Sequence, residues 1–216
     1  MLSLGHQLTR TSTLRGNCIA SSPTIPNREY VVSVDTPQFS KFSGTVFTLF
    51  GNNENFFEWS SAYLVVIRSS ADWRPTEQTR VNFGYQLQHY TRRSDNTDVG
   101  ARHVPRLKIE YQLTRSIFLR MVGQFTSERQ DDLRDDTRTN LPIVIRDPGT
   151  GQYARALAFE KNQLRVDWLF SYQPTPGTVV FAGYGRSLAD PDSVRSEHLH
   201  RVGDGFFLKW SYLFRM

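Results

Sequence analysis

Phe206-Phe207-Leu208-Lys209-Trp210-Ser211-Tyr212-Leu213-Phe214-Arg215-Met216 ends the chain and alternates up to its last residue. Phe206, Leu208, Trp210, Tyr212, Phe214 and Met216 fall on one side of an extended backbone. Phe207, Lys209, Ser211, Leu213 and Arg215 fall on the other. A side-chain period of two marks a strand. One face is apolar and mostly aromatic, and the other carries two cations. That division suits a strand with lipid on one side and the polar interior of a barrel on the other.

The same alternation recurs upstream. Strands are expected over 41–50 and 62–70. Over 79–91, Thr79, Val81, Phe83, Tyr85 and Leu87 oppose Arg80, Asn82, Gly84, Gln86 and Gln88. Next, Leu107, Ile109 and Tyr111 oppose Arg106, Lys108, Glu110 and Gln112. Ile117, Leu119, Met121, Gly123 and Phe125 are backed by Phe118, Arg120, Val122 and Gln124. Leu164, Val166, Trp168, Phe170 and Tyr172 oppose Gln163, Arg165, Asp167 and Ser171. A strand over 179–185 has a register that the pattern leaves open.

Counting from Lys41, this makes eight strands, each about 10–13 residues long, where globular sheets average about 5–6. Connections near 37, 74, 114 and 175 read as short. Those near 53, 96, 144 and 195 read as longer, with Gly51-Asn52-Asn53-Glu54-Asn55 as a turn signal. Outer-membrane barrels sort their connections in this way. The expected fold is all-β: an antiparallel up-and-down transmembrane barrel of about eight strands, or the C-terminal part of a larger barrel. Residues 1–28 read as an irregular segment, apart from which 29–216 form the barrel or barrel fragment. Tyr30-Val31-Val32-Ser33-Val34 is a short strand at its start.

Bulk properties fit this reading. Mean hydropathy is -0.47 and no run of about 18 apolar residues exists, so no transmembrane helix is expected. Aromatics reach 13%, which interfacial girdles would use, as would an aromatic soluble core. The formal charge is +5, but cations and carboxylates are interspersed, and nucleic acid is not expected as a partner. The single cysteine, Cys18, permits neither an intrachain disulfide nor a zinc cluster. The first residues carry His6, Gln7, Thr9 and Arg10 where an export signal would place an apolar core, so a fragment of a longer protein is expected.

Five stretches resemble a family of bacterial outer-membrane barrels of unassigned function whose members carry an N-terminal carbohydrate-binding-type (family 9-like) domain. They are Glu54-Asn55-Phe56-Phe57-Glu58-Trp59, Asp72-Trp73-Arg74-Pro75-Thr76, the segment 105–115, the segment 169–179, and Asp204-Gly205-Phe206-Phe207-Leu208-Lys209. The resemblance implies the C-terminal barrel region of such a protein, in the bacterial outer membrane. It also implies carbohydrate as a partner only through the N-terminal domain, which is absent from this chain. The terminal strand resembles the signal read by outer-membrane assembly machinery, with Met216 where Phe is more usual.

Nine charged residues share the inward positions: Arg80, Arg106, Lys108, Glu110, Arg120, Arg165, Asp167, Lys209 and Arg215. They are expected to face the lumen, either as a plug of salt bridges and water or as the lining of a pore that favours anions. Trp73, Tyr111, Trp168, Tyr172, Trp210, Tyr212 and Phe214 are expected at the membrane interface, in contact with lipid. The acidic run Asp131, Asp132, Asp135 and Asp136 lacks the spacing of a calcium loop and is expected to be a solvated external loop. His198 and His200 lack a third ligand, so no metal is expected. His89 is a conceivable base, but no ordered nucleophile, base and orienting group is present. The chain is read as no enzyme, with no catalytic residues and no cofactor. The expected function is a passive pore or membrane anchor with a polar, net-basic interior. Two alternatives stand beside it: a soluble β-barrel or sandwich acting as a binding module, and an outer-membrane hydrolase.

Overall fold

A computed structural model describes residues 2–4, 8–13, 24–37, 39–136, 138–190 and 199–213. Every regular element among them is a strand. They are β1 (Leu2–Leu4), β2 (Leu8–Thr13), β3 (Thr24–Asp35), β4 (Phe42–Asn55), β5 (Ser60–Trp73), β6 (Thr79–Arg92), β7 (Asp98–Gln112) and β8 (Ile117–Gln130). A small pair follows, β9 (Val144–Arg146) and β10 (Tyr153–Arg155). The chain then forms β11 (Phe159–Thr175), β12 (Thr178–Asp190) and β13 (His200–Tyr212).

Nine of these strands form an antiparallel up-and-down sheet in the order β3-β4-β5-β6-β7-β8-β11-β12-β13. β1 and β2 both pair along the outer edge of β3. The eight strands expected from Lys41 are all present, and β3 is the ninth. Residues 1–28 were expected to be irregular, yet β1, β2 and the start of β3 lie there. Pro26 and Asn27 weaken the local strand signal. Pairing overrides it, with Arg28 opposite Asn52 and Pro26 opposite Thr11.

The sheet is not closed as a barrel. Among the described residues β13 pairs with β12 alone, and its whole length is exposed. Closure depends on strand number and stagger, which a period-two pattern does not encode.

Two connections expected to be longer, 56–59 and 93–97, are also short. Gly51 to Asn55, expected as a turn, continues β4 opposite Ser60 to Leu64. Gly51 has a φ of 148°, and an added Cβ would collide with the Arg28 carbonyl oxygen. Glycine is present for close approach of the β3 backbone, not for a turn. The connection 56–59 is therefore only four residues long, within the range of those on the opposite end. The long connections are 131–158 and the segment between Asp190 and His200.

Register sorts the side chains into two faces. Trp73, Val81, Ile109, Met121, Trp168, Tyr184 and Phe206 form one cross-strand row. Tyr111, Leu119, Phe170, Ala182 and Leu208 form the next. These two rows are apolar and uncovered, with Trp168 54% exposed and Trp210 on the same face 74%, while Arg186 and Asp204 stand opposite each other on this face of β12 and β13. Buried hydrophobic residues are few among the described residues, namely Ala62, Leu64, Val99 and Leu133, all near the end that carries the 131–158 connection. Accessible surface is 15248 Å², whereas a soluble monomer of this mass exposes about 10,000 Å².

Candidate functional site

The face opposite the aromatic rows is polar. Arg80, Glu110, Arg120 and Leu169 stand directly opposite one another on β6, β7, β8 and β11. The next row is Asn82, Lys108, Val122, Asp167 and Gly185. The third is Gly84, Arg106, Gln124, Arg165 and Ser187. Lys209 faces the same way as the partner of Phe181 at the β13 edge. Eight of the nine charged residues singled out in the sequence thus share one face. Arg215 lies outside the described residues, as do Phe214, Met216, Cys18 and His198.

Their ion pairs are not the ones that adjacency suggests. Arg80 reaches across to Asp72 at 2.9 Å instead of to Glu110. Glu110 accepts from Lys108 at 3.3 Å, within its own strand. Arg165 and Asp167 pair at 2.9 Å, also within one strand. Arg106 and Arg120 keep no carboxylate partner among the described residues and are exposed. Arg106, Lys108, Arg120, Val122, Arg165 and Asp167 border a depression of about 750 Å³. The local charge is positive, so the arrangement can attract and hold anions.

The aromatic residues expected at an interface stand on the opposite face. Trp73 and Tyr212 end β5 and β13, and Tyr111 and Tyr172 lie near the ends of β7 and β11. All four are on the short-connection end. Trp168 and Trp210 lie further along the same face.

At the other end of the sheet is a polar cluster that sequence reading missed. Arg92 closes β6 and is 2% exposed; Glu58, in the 56–59 connection, is fully buried. Arg92 Nε donates to Glu58 Oε1 at 3.0 Å and its Nη2 donates to the same oxygen at 2.6 Å. Its Nη1 donates to Thr97 Oγ1, the Asp98 carbonyl and Asp131 Oδ2, and Nη2 also donates to the Asp132 carbonyl. Asn55 Nδ2 and the Arg134 backbone N–H donate to Glu58 as well. Three connections are thereby joined.

The acidic run is solvated only in part: Asp132 is exposed and the Asp131 side chain is half-exposed. Asp136 is buried, taking hydrogen bonds from Ser94 and Arg134. Arg134 also pairs with Asp95, and together with Thr97 it holds that carboxyl well below the usual range. At Asp135, burial pushes the carboxyl up, but Thr139 and Arg138 outweigh it and the net shift is downward. Asp147 accepts from the Gly149 backbone and turns β9 into β10. The clue available in sequence was the recurrence of arginine near the carboxylates, but paired side chains lie as many as 39 residues apart.

The remaining candidates are accounted for. His89 Nε2 lies 2.9 Å from Asp98, which also pairs with Arg129. His200 opens β13 opposite Ala189. No cluster of three or more His, Cys, Asp or Glu suited to a metal occurs among the described residues. Among the described residues no helix is long and apolar enough to cross a membrane, which does not bear on crossing by strands. No family model matches the chain, and no curated protein or solved structure matches it significantly.

Proposed function

We propose that this chain is a bacterial outer-membrane β-barrel protein, or the C-terminal part of a larger barrel, acting as a passive pore or membrane anchor with a net-basic interior. The observation that carries the reading is the uncovered aromatic face. A soluble sandwich would pack a second layer on it, because exposed apolar patches on monomers rarely exceed about 600 Å². Here nine strands present apolar rows with no layer over them among the described residues. Lipid is the solvent that suits such a surface. The strands run 12 to 17 residues, longer than the about 9–11 needed to cross a bilayer with tilt.

A membrane sheet cannot leave an edge open to hydrocarbon. The outer edge of β13 and that of β1 and β2 are therefore paired in the membrane, with each other or with further strands of a wider barrel. The polar face then lines water. Outer-membrane lipids contact the aromatic face, and the assembly machinery engages the terminal strand.

Refolding the full chain into liposomes that contain brominated lipid tests the reading. Tryptophans on the aromatic face, Trp73, Trp168 and Trp210, are expected to be quenched. A chain that stays folded and monomeric without detergent, with unquenched tryptophans, overturns it and leaves the soluble binding module.

A further inference from the structure

We infer that the depression on the charged face is a binding site for small multivalent anions, polycarboxylate or polyphosphate in class. The inference deepens the pore reading by naming the solute class. It rests on that reading only for the claim that this face meets water.

The argument starts from register. Arg106 and Arg165 share a row two strands apart, about 10 Å between backbones. Lys108 lies in the adjoining row, and Arg120 lies one row further on. These four cations surround Val122, a small apolar side chain at the centre. Toward β13 the floor is open glycine: a Cβ added at Gly203 or Gly205 would meet nothing within 4 Å, so a ligand can lie against backbone there. On β12, by contrast, the Asp167 carboxylate covers Gly185 and the Phe207 ring covers Gly183. Space and charge therefore adjoin.

The pattern of pairing decides between a plug and a site. A plug of salt bridges would join Arg120 to Glu110, which stands directly opposite. Instead Glu110 goes to Lys108, Asp167 goes to Arg165, and Arg106 and Arg120 are left without carboxylates among the described residues. Each bare guanidinium offers a fork that fits a carboxylate or phosphate through two hydrogen bonds. A monoanion engages one fork. An anion with two or three charges engages both and gains from each. A volume of about 750 Å³ exceeds such a solute and leaves room for its water.

Titration calorimetry on the full chain refolded in detergent tests the site, with citrate, pyrophosphate and acetate as probes. Citrate or pyrophosphate is expected to bind at least about tenfold more tightly than acetate. Which of the two binds more tightly separates carboxylate from phosphate as the recognised group. The double change Arg106→Gln with Arg120→Gln is expected to weaken binding by about tenfold or more. Arg68→Gln, on the same face but remote on β5, is expected to leave it unchanged. Asp167→Asn is expected to tighten it. Arg106→Lys, which keeps charge but loses the fork, serves if the double variant fails to fold by circular dichroism. It is expected to weaken binding measurably. Absence of multivalent preference, or equal loss in the Arg68 variant, overturns the site and leaves the membrane reading standing. Unquenched tryptophans in brominated lipid would overturn the membrane reading without altering these titrations.

Discussion

Arg92 Nη2 donates to Glu58 Oε1 across 2.6 Å, and neither side chain reaches solvent. The two residues are 34 apart in sequence. All five N–H groups of a guanidinium need acceptors once buried, and Arg92 finds them in Glu58, Thr97, Asp131 and two backbone carbonyls. The contact ties the 56–59, 93–97 and 131–158 connections into one cap above Ala62, Leu64, Val99 and Leu133.

Removing one member of that pair strands a buried charge. Glu58→Ala is expected to destabilise the folded protein by about 3–5 kcal/mol. Urea titration of the refolded protein checks it, together with faster proteolysis within 131–158. An unchanged midpoint and cleavage rate would show that the cap is dispensable.

Gly51 brings the β3 and β4 backbones into close approach. Gly51→Ala forces a side chain against the Arg28 carbonyl at a φ of 148°. The expected cost is about 1–3 kcal/mol. Hydrogen exchange should show it as lost protection along Arg28 to Tyr30, with β7 and β8 unaffected.

The cap has a defined response to acid. Asp95 and Asp135 titrate lower in the folded protein than in the unfolded chain. Depressed carboxyls bind fewer protons when folded. Their stabilisation is therefore complete above the unfolded value of about 3.9 and is lost as pH falls through the folded values. Amide protection over 131–143 is expected to stay level from neutral pH to about 4 and to fall below that. Asp95→Asn should lower the neutral plateau and flatten the acid limb. A loss of protection between pH 7 and 5 would contradict the assignment.

The two faces should differ in their tolerance of charge. Leu107 lies on the aromatic face of β7, and Gln124 lies on the charged face of β8. Leu107→Arg is expected to cost about 2–4 kcal/mol in a bilayer, as for a cation at the midplane of a lipid-facing strand. Gln124→Arg should cost little. Unfolding in liposomes measures both, and equal costs would remove the distinction between a lipid face and a water face.

Alternation alone placed Arg80, Arg106, Lys108, Glu110, Arg120, Arg165 and Asp167 on one face and Tyr111, Trp168 and Tyr172 on the other, whereas Trp73, expected in a turn, ends β5. It succeeded because the pleat is local: side chains i and i+2 share a face whatever the strand pairs with. Turn chemistry was less dependable. Gly51-Asn52-Asn53-Glu54-Asn55 has turn residues but continues β4, because Ser60 to Leu64 stand opposite and complete the ladder. Three features were decided only by the tertiary structure: the Glu58–Arg92 cap, the choice of Lys108 over Arg120 by Glu110, and the open edge of β13. Each depends on which distant strands become neighbours and at what offset. That offset is a property of the assembled sheet, whereas the period that defines a strand is written in every second residue.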